Sequence, residues 1–165
     1  MDKRPDLVNE LRALRSRIAE AERPKRVACV LRNGSVSLPV GEGHNVSFST
    51  VDVDTGGMFD PAEPDRITAP RSGVYVVTGS ATIDAMGDTT GLRSLELVAG
   101  GAQIGFTLAP LPNNGWRASP SGVVVLERGD VVRLWAFQDN GDDDTLGCSS
   151  GRLSVALVAP IPEGG

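Results

Sequence analysis

The stretch from residue 45 to 75 constrains the fold of this chain more than any other segment. Its first residues alternate between apolar and polar, which predicts a half-buried strand through Val46, Phe48, Val51 and Val53. Gly56–Gly57 permits a tight reversal. Pro61 and Pro64 keep the next segment out of a regular ladder until a short strand at 67–68. A turn and a β-prone run follow, so the stretch predicts an all-β architecture.

The segments that follow residue 26 also carry β patterning. Val27–Leu31 predicts a short strand that is closed by a turn at Asn33–Gly34, and alternation in 36–40 predicts the next strand. Gly100–Gly101 predicts a hairpin between two strands. The chain shows neither an internal repeat nor a linker in this region. About eight to ten strands with long connections are typical of a two-sheet jelly roll.

Three segments carry a resemblance to a known family: STVDVDTGGMFDP, ITAPRSGVYVVTGSATI and LERGDVVRLWAFQDNG. They resemble the globular head of complement component 1q and its relative, tumour necrosis factor. An Ala-Pro-x-x-Gly-x-Tyr motif of that family is matched by Ala69, Pro70, Gly73 and Tyr75. A Gly-Asp-x-Val motif is matched by Gly129, Asp130 and Val132.

The resemblance covers roughly residues 27 to 160 and has two departures. Ile67–Thr68 replaces the family's aromatic residue before Ala-Pro, and residues 148–153 replace its C-terminal Phe-x-Gly-Phe pattern. The loop at 52–61 is more similar to heads of phage virion proteins than to those of secreted animal proteins. The resemblance implies a jelly-roll domain at 26–165 that forms a homotrimer.

An N-terminal helix is predicted for residues 1–25, ahead of the β domain. Apolar residues recur at spacings of four, three, four and three, namely Leu7, Leu11, Leu14, Ile18 and Ala21. In this heptad register Glu10 meets Arg15, and Arg17 meets Glu22, across a parallel helix pair. The pattern predicts a parallel coiled coil; the alternative is an amphipathic helix lying on another protein. Pro24 ends the helix.

Composition excludes several classes of function. The 165 residues suit one domain with an additional segment, and a net charge of −5 argues against a nucleic-acid partner. No window approaches the ~20 apolar residues of a membrane span, and no signal peptide is visible. Cys29 and Cys148 lie near the two ends of the β region, so a disulfide is possible, but two buried free thiols are favoured.

No residue pattern predicts an enzyme or a cofactor. His44 is the only histidine and lies in a glycine-flanked turn, without a nucleophile motif. An acidic loop offers weak calcium candidates in Asp139, Asp142, Asp143 and Asp144. Its spacing lacks the alternation of a calcium loop and a bidentate Glu, which favours a solvated loop over a metal site. Asp52 and Asp54 share one face of a strand and are expected to brace the following turn.

The aromatic residues suggest where the head packs or binds. Tyr75, Trp135 and Phe137 are candidates for the core or the trimer interface, with the strand at 131–137 as the predicted interface. Trp116, beside Asn113 and Asn114, is a candidate ligand loop for stacking on a sugar. The alternative for Trp116 is a loop anchor.

The combination predicts a non-enzymatic structural protein of a phage virion, assembled in the host cytoplasm. Heads on short parallel coils resemble head fibres, capsid decoration proteins and minor tail proteins. We therefore expect the N-terminal segment to trimerise or to bind a capsid or tail protein. The alternative is a module that binds a glycan or a protein on the host surface.

Overall fold

The strands of this protein assemble into two antiparallel sheets. A computed structural model describes residues 9–15, 26–84, 91–110, 115–140 and 145–161, of which 9–15 are helical. Within these ranges the strands, numbered in chain order, are β1 Ala28–Leu38, β2 Gly43–Asn45, β3 Thr50–Asp54, β4 Ile67–Thr68, β5 Gly73–Ile83, β6 Gly91–Ala99, β7 Ala102–Pro110, β8 Trp116–Ala118, β9 Ser121–Leu126, β10 Val131–Asn140 and β11 Leu146–Pro160.

The two sheets face each other as a sandwich. The six-stranded sheet has the order β3-β1-β11-β5-β8, and β9 pairs with β5 beside β8. The five-stranded sheet has the order β2-β10-β6-β7, and β4 pairs with β10 beside β2. The chain crosses repeatedly from one sheet to the other, which is the jelly-roll arrangement that the sequence predicted.

Alternation along β5 directs one side of the strand into the space between the sheets. Tyr75, Val77, Gly79, Ala81 and Ile83 are buried, whereas the residues that alternate with them are half-buried or exposed. The Tyr75 hydroxyl donates a hydrogen bond of 2.7 Å to the Arg71 carbonyl oxygen, which satisfies the only polar group of this core side chain. Tyr75, a candidate for the core or the trimer interface, thus lies in the core.

The strand predicted for residues 46–53 is present only in its second half, because β3 begins at Thr50 and residues 46–49 connect it to β2, which ends at Asn45 in the other sheet. β2 pairs with β10, whereas β3 pairs with β1 at the edge of the six-stranded sheet. Val46 and Phe48 are buried at the crossing, and Val51 and Val53 are 43% and 39% exposed. The prediction of one strand was wrong because alternation alone does not show where a chain leaves one sheet for the other.

Asp54 holds the long loop that follows β3. Its carboxylate accepts backbone N–H bonds from Gly56 at 3.2 Å, Met58 at 2.9 Å and Phe59 at 3.1 Å. Asp52 instead forms an ion pair with Arg32 on the neighbouring strand. The expected bracing of the turn is therefore made by Asp54, and Asp52 has a different partner.

Two opposed bulges replace the turn that was predicted at Asn33–Gly34. Asn33 and Ser150 both have a φ of 54°, and the register of β1 against β11 and of β11 against β5 shifts at these positions. A Cβ on Gly151 would lie 2.8 Å from the Gly34 Cα, so the two strands cross at glycines. β1 continues to Leu38 because the left-handed residue is absorbed as a bulge. The hairpin at Gly100–Gly101 is confirmed, with Ala99 paired to Ala102.

Candidate interaction surfaces

The outer side of the six-stranded sheet carries aliphatic residues in register across its strands. Val123 of β9 pairs with Val76 of β5, which pairs with Ala156 of β11, which pairs with Ala28 of β1. A second row is formed in the same way by Val125, Val74 and Ala159. Residues that pair directly across antiparallel strands lie on one side of a sheet, so these two rows form one continuous surface, called here the aliphatic face.

The aliphatic face is open to solvent in the single chain. Val123 is 69% exposed, Val125 is 61% exposed and Val76 is 38% exposed. Val158, in the bulge of β11 beside the second row, is 64% exposed. A solvated sheet face ordinarily presents polar residues at these positions. A contiguous apolar patch of this kind is typical of a protein–protein contact.

The outer side of the five-stranded sheet differs in that it mixes aromatic and polar residues. One row across β7, β6, β10 and β2 is Phe106, Glu96, Trp135 and Asn45. The adjacent row is Leu108, Ser94, Phe137 and Gly43. These two rows are called here the aromatic face. Phe106 is 50% exposed and Leu108 is 49% exposed, so its β7 side is open to solvent.

The rings of Trp135 and Phe137 pack on each other across the aromatic face. Their centroids lie 5.8 Å apart with 8° between the ring planes, and both side chains are half-buried. A Cβ at Gly43 would lie 1.6 Å from the Trp135 Cζ2 atom, so the indole lies over the bare backbone of β2. The two predicted interface residues are thus brought together, on the sheet opposite the aliphatic face.

The row of Phe106 and Trp135 also contains the carboxylate of Glu96. Glu96 is half-buried. Its Oε2 accepts a hydrogen bond of 2.7 Å from the Gln103 side-chain amide, and its Oε1 accepts a hydrogen bond of 3.3 Å from the Ser94 hydroxyl. Both donors are neutral, so they hold the carboxylate in position without compensating a negative charge on it. Beside this row, Asp65 accepts from Asn45 at 3.0 Å and lies 3.4 Å from the Arg133 Nε.

The candidates for catalysis and metal binding remain dispersed. The Nε2 of the half-buried His44 lies 3.3 Å from a carboxylate oxygen of Glu42. Among the described residues, no group of three or more His, Cys, Asp or Glu side chains is placed to hold a metal ion. Asp139 is exposed at the end of β10, and Asp142, Asp143 and Asp144 lie outside the described residues.

The two cysteines are buried free thiols that are far apart. Cys29 pairs with Val155, whereas Cys148 pairs with Val36, seven residues further along β1. This separation is roughly 20 Å at strand rise, well beyond the ~7 Å between Cα atoms that a disulfide spans. Burial raises the pKa of each thiol to about 12, helped by the negative charge of Asp54 near Cys29 and of Asp84 near Cys148. The disulfide alternative is excluded.

The predicted ligand loop and coiled coil are described only in part. The Trp116 side chain is half-buried and packs against the core, as a loop anchor does, while Asn113 and Asn114 lie outside the described residues. Residues 9–15 are helical and include Glu10 and Arg15, with Leu11 56% and Leu14 51% exposed. The other predicted helix residues, Leu7, Arg17, Ile18, Ala21 and Glu22, lie outside the described residues. No helix in the described ranges is long and apolar enough to cross a membrane.

Two polar residues of the core were not predicted from the sequence. Arg93 and Gln138 pair across β6 and β10 and are fully buried. The Arg93 Nη1 donates to the Ile83 carbonyl at 3.4 Å, and the Gln138 Nε2 donates to the Leu38 carbonyl at 3.0 Å. Burial lowers the pKa of the Arg93 guanidinium, and the Asp84 carboxylate opposes that shift. Their place in the inward alternation of both strands was a signal for burial, although their side-chain type argued against it.

Comparison with known structures shows the fold. Eiger, a tumour necrosis factor of S. frugiperda, matches with a TM-score of 0.60 and 11% identity, covering 86% of this chain and 98% of its own. The globular domain of zebrafish complement 1qA protein matches with a TM-score of 0.56 and 18% identity, covering 82% and 99%. No protein-family model and no curated protein sequence matches the chain. The jelly-roll head is therefore of the complement 1q and tumour necrosis factor type.

Proposed function

We propose that this chain is a subunit of a non-enzymatic, homotrimeric structural protein of a phage virion, such as a capsid decoration protein, head fibre or minor tail protein. The N-terminal helices serve trimerisation or attachment, and the β heads project outward. The aliphatic face is the observation that carries the trimer. The similarity of the loop at 52–61 to phage virion heads supports the location.

The aliphatic face supports packing of each head against the next copy. Its most exposed residues, Val123 and Val125, lie on β9, along the side of the sheet away from β1. They can therefore reach Val74 and Val76 of a neighbouring copy, in a head-to-tail contact that closes into a ring. Burial of apolar area stabilises such a contact by roughly 25 cal/mol per Å² before the entropic cost of association. The proposed trimer interface therefore lies on the sheet opposite the predicted strand at 131–137.

The N-terminal segment supports attachment through its charge. Residues 1–26 contain eight Lys or Arg and five Asp or Glu, whereas the remaining residues contain eight and sixteen. The segment is thus basic, the head is acidic, and the helix at 9–15 exposes Leu11 and Leu14. A basic helix with an apolar stripe suits an acidic groove on a capsid or tail protein.

Removal of the N-terminal segment tests whether the head alone trimerises and the N-terminal segment serves attachment. A chain that starts at Val27 is expected to remain a folded trimer, because the aliphatic face is intact, but to be missing from purified virions. Light scattering measures the trimer, and gel analysis of virions assembled with each form measures attachment. Dissociation of the shortened chain into monomers would show that the helices hold the copies together. Retention of the purified head on bacterial-envelope polysaccharide would instead favour a host-binding module.

A further inference from the structure

We propose that the aromatic face binds an arginine side chain of a partner protein, with Glu96 as its carboxylate and Phe106 as the aromatic ring on which the guanidinium stacks. This site lies within one copy of the chain. It therefore goes beyond the structural role and does not depend on the trimer.

Glu96 lies beside an exposed aromatic residue on the neighbouring strand. Phe106 pairs directly with Glu96, about 4.8 Å away at the backbone, and is 50% exposed. Trp135 pairs with Glu96 from the other side, but its indole lies over Gly43 of β2 and stacks on Phe137, away from Glu96. A planar guanidinium can therefore stack on the Phe106 ring while it contacts the carboxylate.

The Glu96 carboxylate is held in place by two neutral donors. Gln103 and Ser94 hold both oxygens at 2.7 Å and 3.3 Å, which fixes the side chain. Because these donors are neutral and each carboxylate oxygen has more than one lone pair, the group retains its charge and its capacity to accept two further N–H bonds.

Charge complementarity selects the occupant. Outside its first 26 residues the chain has twice as many acidic as basic residues, so the head attracts cations. On the aromatic face, Arg133 is already engaged by Asp65, whereas the contacts of Glu96 are with neutral groups. Arginine is favoured over lysine because its planar fork binds a carboxylate in two places and stacks on aromatic rings.

The test measures binding of acetylated tetra-arginine by fluorescence of the full chain carrying Trp116→Phe, in which Trp135 is the remaining tryptophan. Saturable quenching is expected, and tetra-lysine should bind several-fold more weakly. Glu96→Gln should weaken tetra-arginine at least about tenfold, the scale of a charge-assisted pair. Phe106→Ala should weaken it about two- to fivefold, the scale of a cation–π contact.

Glu127→Gln is the matched control, because Glu127 is an exposed carboxylate in the turn after β9 and its loss changes the net charge equally. It should leave the affinity within about twofold, as expected for a distant screened charge. Equal weakening by Glu127→Gln and Glu96→Gln, or equal binding of tetra-lysine, would show attraction to an acidic surface without a site. Absence of saturable quenching would overturn the proposal outright. Light scattering on the same samples reports the trimer separately, so the two proposals fail independently.

Discussion

Asp54 shows at the scale of one residue how a loop without regular structure acquires a fixed shape. One carboxylate satisfies the backbone N–H groups of Gly56, Met58 and Phe59, and Met58 is buried beneath it. Burial of a backbone group without a hydrogen-bond partner is costly, so the Asp54 carboxylate supplies the hydrogen bonds that a neighbouring strand would otherwise provide.

Asp54→Ala is expected to destabilise the head by about 2–4 kcal/mol, because several charge-assisted hydrogen bonds are lost at once. Asp52→Ala, two residues away, removes only a surface ion pair and should cost less than about 1 kcal/mol. Urea unfolding of the two variants measures the difference. Equal losses would show that the loop is held by its apolar contacts and that the carboxylate is incidental.

The buried thiols predict the behaviour of the protein at alkaline pH. Their pKa is about 12 in the folded chain and lies near 9.0 for an ordinary thiol, so between these values the unfolded chain releases protons that the folded chain retains. Their stability contribution is therefore complete below pH 9 and falls as the pH rises toward 12. Burial also raises the pKa of Tyr75, which acts in the same direction.

The melting temperature is expected to decline more steeply above pH 9 in the parent chain than in the double variant Cys29→Ala and Cys148→Ala. A thiol reagent at neutral pH should modify neither cysteine until denaturant is added. Rapid modification of the native protein, or identical slopes for the two chains, would contradict the burial of these groups.

At the scale of elements, local sequence chemistry decided some features and distant pairing decided others. Gly100–Gly101 forms the predicted hairpin because both residues have positive φ, which the two-residue turn itself requires. Asn33–Gly34 has equally good turn chemistry, yet it lies within β1, because the bulge at Ser150 on β11 accommodates it. The sequence around residue 33 does not indicate that its partner is residue 150.

The opposed bulges predict which glycine the sheet needs. Gly151→Ala should destabilise by about 2–4 kcal/mol, since the new methyl group would overlap the backbone of Gly34 and the side chain of Val46 in a packed region. Gly115→Ala is the control, because its nearest neighbours lie 3.6 Å or more from the new atom. Thermal unfolding compares the two. A loss at Gly151 no larger than at Gly115 would show that β1 and β11 separate easily at this point.

The candidate surfaces could be predicted only in part, for the same reason. Trp135 and Phe137 were identifiable because they are large and lie two residues apart on one strand. The row that joins Phe106, Glu96 and Trp135 was not, because it depends on the register of three strands. Likewise, the aliphatic face combines β1, β5, β9 and β11. Taken one strand at a time, their alternating apolar residues resemble those of an ordinary core strand.

At the scale of the whole molecule, the two sides of the sandwich have different surfaces. One side carries the aliphatic face, bordered by a polar row of Ser121, Thr78 and Ser154, and the other side carries aromatic residues and a fixed carboxylate. Packing of the aliphatic sides about an axis would leave the aromatic sides outward, where a partner can reach them. In that arrangement the proposed trimer interface, the proposed N-terminal attachment and the proposed arginine site would occupy separate parts of the chain.

Light scattering during size-exclusion chromatography tests the central claim most directly. The full chain at micromolar concentration should have about three times its mass of 17.3 kDa. Val123→Glu places a charge on the aliphatic face and should give the mass of a monomer, whereas Leu108→Glu, exposed on the opposite sheet, should remain a trimer. A monomeric parent chain would contradict the account, and so would dissociation by Leu108→Glu with Val123→Glu unaffected.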